Sequence, residues 1–281
     1  MKISIIGVGL IGGSMALKLR EKGIADFIYG IDNSDKHLSE ALDLHIIDER
    51  ADLEEGIKNA DLIILAIPVD AARKLLPKIL DLISENQTVM DAGSTKAGIV
   101  HAVQNHPKRS RFIAFHPMWG TENNGPASAV SDSFTGKAGV ICNKEESAED
   151  ALQLVKKVAE SLEMHLIYMS AESHDVHTAY ISHISHITSY ALANTVLEKE
   201  REEETIFQLA SSGFSSTVRL AKSHPEMWVP IFKQNKENVL DVLNEHISQL
   251  RKFKSALEKE NFEYLGELIS NANKIRGILE K

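Results

Sequence analysis

The sequence predicts two parts: an α/β domain over residues 1–169 built on a mostly parallel, doubly wound sheet, and an all-helical domain over residues 170–281. Three observations predict this. Up to Met169, short apolar runs rich in β-branched residues alternate with amphipathic stretches, the order that yields parallel strands joined by helices on both faces. After Met169 no convincing strand signal recurs, and apolar residues repeat at helical spacing. A glycine-rich turn joins the first strand to the first helix.

The first strand is "KISIIG", followed by a helix from Leu10 to Lys22 and a second strand, "FIYGID". "ADLIILAIP" is a strand bounded at Pro68; its unbroken apolar run implies burial on both faces. Ala71 to Ile83 has helical spacing, "QTVMDAG" is a strand, and Lys96 to Gln104 is a helix. "RFIAF" and "AGVIC" are further strands, Ser147 to Leu162 is a helix, and "HLIYM" closes the series. Beyond it, Ala171 to Lys199 reads as one long helix with apolar residues at Val176, Tyr180, Ile184, Ile187 and Ala191. The run "EKEREEE" reads as a solvated helix end, and His224-Pro225 marks a helix start. Val239, Leu243, His246, Leu250, Phe253 and Leu257 alternate spacings of four and three, a coiled-coil-like seam. Phe262, Leu265, Ile269, Ala272 and Leu279 carry a last helix. Such wide apolar faces on a small helical domain are expected to bury part of their area against a second copy, as a homodimer.

The net charge of −9 argues against general affinity for nucleic acid or an anionic membrane, and it means that an anionic substrate needs a local cationic group. No apolar run is long enough for a transmembrane helix. The single cysteine, Cys142, closes an apolar strand and reads as a buried residue, which fits a reducing, cytoplasmic setting. "MKISIIGVG" has too short an apolar run for a signal peptide.

"GVGLIGGS" holds Gly7, Gly9 and Gly12 in a G-x-G-x-x-G pattern, with Leu10 and Ile11 opening the helix. The pattern alone is weak. Between a strand and a helix it is the Rossmann-type dinucleotide fingerprint: a tight turn at Gly7, backbone approach to a pyrophosphate at Gly9, close packing at Gly12. Asp32, at the end of the second strand, is placed to accept hydrogen bonds from ribose hydroxyls and to repel a 2′-phosphate, favouring NAD over NADP. Ala66, Pro68 and Ser94 follow later strands and are expected along the cofactor's path; Ser94 or Thr95 alternatively caps the next helix. His116 ends another strand and opens "HPMWGTENNGP". An imidazole there can take a proton near neutral pH, as alcohol oxidation requires, or it is a structural residue of the turn.

Taken together, "GVGLIGGS", "DAGSTK", "FHPMWGTE", "DVHTAYISHISH" and "GFSSTVRLAKSHPEMW" resemble the prephenate dehydrogenase (TyrA) family, in order and spacing, over essentially the whole chain. The resemblance implies NAD-dependent oxidative decarboxylation of prephenate to 4-hydroxyphenylpyruvate in tyrosine biosynthesis, and a helical dimerisation domain. It implies that His116 accepts the proton of the ring hydroxyl, that Ser94 assists, and that Arg219 holds a carboxylate. Ser182, His183, His186, Thr121 and Glu122 match positions lining the substrate pocket, and Trp228 is expected as a pocket wall. Glu122 is expected to gate the pocket or to pair with Arg219. At about 100° per residue, Ala179, His183, His186 and Tyr190 share a stripe and His174 points away from His183, so no metal site is expected.

Met118 and Trp119 stand where many relatives have small residues, and the indole is expected to narrow the pocket or face a dimer partner. Ser215 and Ser216 replace charged residues common in relatives. No fused chorismate mutase or amino-acid-sensing domain is expected. Three other readings stand beside prephenate: arogenate dehydrogenase, a different two-domain reductase of the 3-hydroxyacid or pyrroline-carboxylate type, and a non-catalytic NAD-binding regulator.

Overall fold

The computed structural model of the chain describes residues 1–203 and 205–279. Its first part runs β1 (Lys2–Ile6), α1 (Leu10–Glu21), β2 (Phe27–Ile31), α2 (Asp35–Asp43), β3 (Glu49–Arg50), α3 (Leu53–Asn59), β4 (Leu62–Leu65), α4 (Val69–Leu82) and β5 (Thr88–Asp91). It continues with α5 (Ala97–Val103), β6 (Phe112–Pro117), β7 (Ala138–Cys142), α6 (Glu149–Ser161) and β8 (His165–Met169).

These strands form one eight-stranded sheet in the order β3-β2-β1-β4-β5-β6-β7-β8. All neighbours pair in parallel except β6 with β7, where His116 stands opposite Val140. Side chains alternate across the sheet, so two cores form. One gathers Ile3, Ile5, Ile64, Met90, Ile113 and Phe115 with residues of α1, α2 and α6; the other gathers Ile6, Ile63, Val89, Phe112, Ala114 and Cys142 with residues of α3, α4 and α5 and with Ala171. By this alternation His116 shares the second face with Ala114, on the side of α5. Cys142 is buried, and burial pushes its thiol up to about 12.

Three elements between Asn33 and Asn59 carry no expectation from the apolar pattern. α2, α3 and the two-residue β3 are short and polar on their outer faces, but their caps are local. Ser34 accepts a hydrogen bond from the backbone N–H of His37, and Asp52 accepts one from that of Glu55.

From Ala171 onward the regular elements among the described residues are helical, among them α7 (Ala171–Thr178), a π-helical turn (Ala179–His183), α8 (Ile184–Glu203), α9 (Ser212–Thr217), α10 (Pro225–Gln234), α11 (Lys236–Glu258), α12 (Phe262–Ala272) and α13 (Arg276–Leu279). α10 starts as its sequence signals, with Pro225 in its first turn and the His224 ring accepting from the N–H of Glu226. Glu204 and the side chains of Glu202 and Glu203, all in the acidic run, and the side chain of Leu279 lie outside the described residues. Backbone packing divides the chain into two compact units, Met1–Asn235 and the segment from Lys236 onward. In the second unit α12 packs against α11. Along the expected seam Val239 is buried, while Leu250 and Leu257 are more than half exposed in the single chain.

Candidate active site

The strand order reverses between β1 and β4, and ligands of such sheets lie beyond the strands' carboxyl ends at that point. Gly7 follows β1 with φ 96°, and a Cβ on it would stand 2.4 Å from the carbonyl oxygen of Ala66, which follows β4. A Cβ on Gly12 would stand 2.0 Å from the oxygen of Gly7. Both positions therefore demand glycine. Gly9 faces open space: a Cβ there meets nothing within 4 Å. No side chain caps α1, so the N–H groups of its first turn, beside half-buried Leu10 and Ile11, are left to an anion. Asp32 accepts from the N–H of Val8 at 3.2 Å and from that of Ser34 at 2.9 Å, which pins its carboxylate at the mouth of the glycine loop. The cradle fits a dinucleotide's pyrophosphate. Ala66 is half-buried and Pro68 exposed at the entry to α4.

Ser94 is half-buried in the loop between β5 and α5. Neither Ser94 nor Thr95 caps α5, which corrects that alternative. The carboxylate of Asp175, from α7, accepts from the N–H groups of Lys96 at 2.7 Å and Ala97 at 3.0 Å, and Thr95 donates instead to Gln234 at 3.1 Å. The cap is supplied by tertiary contact, from a residue distant in sequence. Beneath the loop Lys96 and Asp91 form a fully buried ion pair, and Asp91 also accepts from the N–H groups of Gly93 and Phe115.

His116 is 8% exposed at the carboxyl end of β6. Its Nδ1 lies 2.8 Å from Nε2 of His174, and Nδ1 of His174 lies 2.8 Å from Oδ1 of Asp175. Neither His174 nor Asp175 was expected here. Uniform helical spacing turns His174 away from His183, yet both are buried, 1% exposed each. The π-helical turn between them is the reason: one extra residue in a turn rotates the downstream side chains back by about 100°. His183 Nδ1 lies 3.1 Å from the amide nitrogen of Asn235, which donates to the carbonyl of Asp175 at 2.6 Å. His186 stacks on Trp228 at 3.4 Å between ring centres and donates from Nδ1 to the carbonyl of Ser182 at 3.0 Å. Trp228 is buried, and its indole N–H has no partner.

Arg219 sits on a 3₁₀ turn (Arg219–Lys222) held to α8 by the Ser189 hydroxyl, which accepts from the N–H of Ala221 at 3.0 Å and donates to the carbonyl of Thr217 at 3.1 Å. Its guanidinium donates to Glu122 at 3.0 Å. Thr121, one residue before, accepts from the N–H of Asn123. Trp119 packs edge-on against Phe134, 5.3 Å between ring centres, as part of the α/β domain's own core.

The electrostatics favour neutral imidazoles. Burial above all, then the electrostatic influence of His174, Lys96 and His183, holds His116 well below its ordinary value. Burial also lowers His174, against the bond it donates to Asp175, takes His183 down to about 4 and lowers His186. Its own backbone N–H and then Arg219 keep the Glu122 carboxyl below the usual range. Among the described residues no cluster of three or more His, Cys, Asp or Glu could hold a metal. No described helix is long and apolar enough to cross a membrane.

A family model described as the nucleotide-binding domain of prephenate dehydrogenase matches residues 15–168, and one for its dimerization domain matches residues 170–271. Prephenate dehydrogenase of Bacillus subtilis is 33% identical over 98% of this chain and 75% of that protein. Cyclohexadienyl dehydrogenase of Zymomonas mobilis is 28% identical over 98% of this chain and 94% of its own. Among solved structures, Aquifex aeolicus prephenate dehydrogenase in complex with hydroxyphenyl propionate and NAD+ superposes with a TM-score of 0.91 at 33% identity, covering 99% of this chain and 98% of that one. Synechocystis arogenate dehydrogenase gives a TM-score of 0.79 at 27% identity, covering 99% of this chain and 100% of that one. With both domains matched and a relative above 30% identity aligned along nearly the whole of this chain, the chain belongs to the prephenate dehydrogenase family.

Proposed function

We propose that this chain is an NAD-dependent dehydrogenase that oxidatively decarboxylates prephenate to 4-hydroxyphenylpyruvate. The observation that carries the reading is His116: a buried imidazole at a strand's carboxyl end, kept neutral chiefly by burial and also by the Lys96 cation, with Nδ1 already engaged. A neutral imidazole with one free ring nitrogen is what a base for a ring hydroxyl must be. When bound, NAD supplies the hydride acceptor. Gly7, Gly9, Leu10, Ile11, Gly12 and Asp32 hold its pyrophosphate and ribose, with Ala66, Pro68 and Ser94 along its path.

His116 takes the hydroxyl proton as the carbon–oxygen bond gains ketone character. Loss of carbon dioxide then leaves an aromatic ring, so the protein needs only to align the reacting groups. Arg219 offers a planar fork to a substrate carboxylate, displacing Glu122, its partner at 3.0 Å. Ser182, His183, His186, Thr121 and Trp228 complete the pocket. The split at Met169 divides labour between cofactor binding and substrate binding with dimerisation, and the working form is a cytoplasmic homodimer.

Arogenate is the second reading. It differs by an amino group in place of the side-chain keto oxygen, and the likeness to the Synechocystis enzyme favours it. Purified protein given NAD and either substrate, with reduced cofactor followed optically, separates the two by catalytic efficiency. Changing His116→Asn is expected to lower turnover by about 10²–10⁴-fold with NAD still bound; near-normal turnover removes the role. Arg219→Ala is expected mainly to raise the substrate KM, and an unchanged KM takes it out of the pocket.

A further inference from the structure

We propose that His174 and Asp175 are positioning residues for His116: together they fix which of its ring nitrogens is the base, and they face the charge that it acquires. The inference rests on the assignment of His116 above. Its ground is a chain of two short contacts, each 2.8 Å, running inward from His116 Nδ1 through His174 to Asp175.

Three donors converge on the Asp175 carboxylate: the N–H groups of Lys96 and Ala97, and Nδ1 of His174. The carboxylate acts as acceptor, so the hydrogen of that last bond belongs to His174 Nδ1. A neutral imidazole carries one hydrogen. His174 Nε2 is therefore a lone pair, and the contact with His116 requires His116 Nδ1 to donate. That leaves Nε2 of His116 as its acceptor. With His174 1% exposed and Asp175 3% exposed, water does not compete for these bonds.

In the proton step the substrate O–H bond breaks and an N–H bond forms at His116 Nε2; the oxygen's electron pair goes into the forming carbonyl as the hydrogen on the same carbon leaves with its electron pair, as hydride, to the acceptor that bound NAD would supply. His116 becomes a cation whose Nδ1–H still points at His174, with the carboxylate behind it. The other titratable groups around His116 are Lys96, with its partner Asp91, and His183. Burial, a charged His174, Lys96 and His183 disfavour the cation. Asp175 is thus the acidic end of the hydrogen-bonded line, while Asp91 is spent on Lys96.

Asp175 also caps α5 and its carbonyl accepts from Asn235, so activity loss alone does not separate positioning from folding. The first measurement therefore uses the unmodified full chain without cofactor. Long-range ¹H–¹⁵N correlation of its histidine rings, with His116 assigned from the spectrum of His116→Asn, is expected to show hydrogen on Nδ1 and a bare Nε2. Hydrogen on Nε2 with a bare Nδ1 overturns the proposal, whether or not any variant folds.

The second measurement is kinetic. His174→Phe, which cannot accept from Nδ1, is expected to lower kcat by about 10- to 100-fold, the usual cost of losing a partner that orients a functional ring. His174→Gln, whose side-chain oxygen can accept, is expected to recover most of it. Asp175→Asn is expected to shift the acid limb of the kcat/KM profile to lower pH, because the carboxylate favours the cation. Folded variants with wild-type kcat and an unmoved limb overturn the relay if His116→Asn is inactive. If His116→Asn itself turns over normally, the base assignment fails instead.

Discussion

Four imidazoles around the site, those of His116, His174, His183 and His186, are at most 9% exposed, and each is held below its ordinary value chiefly by burial. In the unfolded chain they protonate near their ordinary pKa of about 6.5. The unfolded state therefore binds more protons than the native state as pH falls through that value, and native stability drops in this window. For His183 the window runs down to about 4. Each such group removes up to about 1.4 kcal/mol per pH unit. Asp91, raised by burial, works in the opposite direction. At still lower pH the carboxylates contribute: Glu163, held at about 2 by Lys22 and Thr135, gives up its contribution as it protonates. The melting temperature is expected to fall steadily between pH 7 and pH 5 with an intact chain, and a flat profile there would mean the imidazoles are charged or solvated in the folded state.

At the level of elements, the segment after His116 is anchored to α1 as well as folded on itself. Lys18, 2% exposed on α1, reaches Asp132 at 2.6 Å. Ser14 accepts from the N–H of Val130 at 2.9 Å, and Ser131 bonds Glu21. Helix α1 thus joins two tasks: its first turn faces the dinucleotide cradle, and its flank anchors the segment that carries Thr121 and Glu122. Lys18→Met keeps the buried stem and removes the ion pair. Hydrogen exchange is expected to accelerate at amides around Val130, with little change in the strands. Unaltered exchange there would show that the anchor lies elsewhere.

For the molecule as a whole, the segment from Lys236 onward leaves several large apolar side chains open. Leu250, Leu257, Phe262 and Ile269 are each at least half exposed in the single chain. An exposed apolar stripe of this kind marks a surface meant to be covered, and the family model over residues 170–271 is that of a dimerization domain. The double change Leu250→Glu, Leu257→Glu is expected to convert a dimer into a monomer, read as a halved mass by light scattering. A dimer that survives both charges would place the interface on another face.

Much of this was readable along the chain, because it rests on local patterning. Unbroken apolar runs specify strands buried on both faces, as in "LIIL" of β4, where all four residues are buried. The glycines of the first turn answer to contacts made within a few residues of one another or to the neighbouring strand. The helices between Asn33 and Asn59 were missed because their apolar stripes are short, although Ser34 and Asp52 signal both starts. The ring partner of His116 was not legible: it lies 58 residues away, and the helix that presents it changes its turn geometry between His174 and His183. Capping of α5 by Asp175 is of the same kind. Patterning decides which face of each element is buried; which polar side chains then meet inside depends on how the buried faces are brought together, and folding alone settles that.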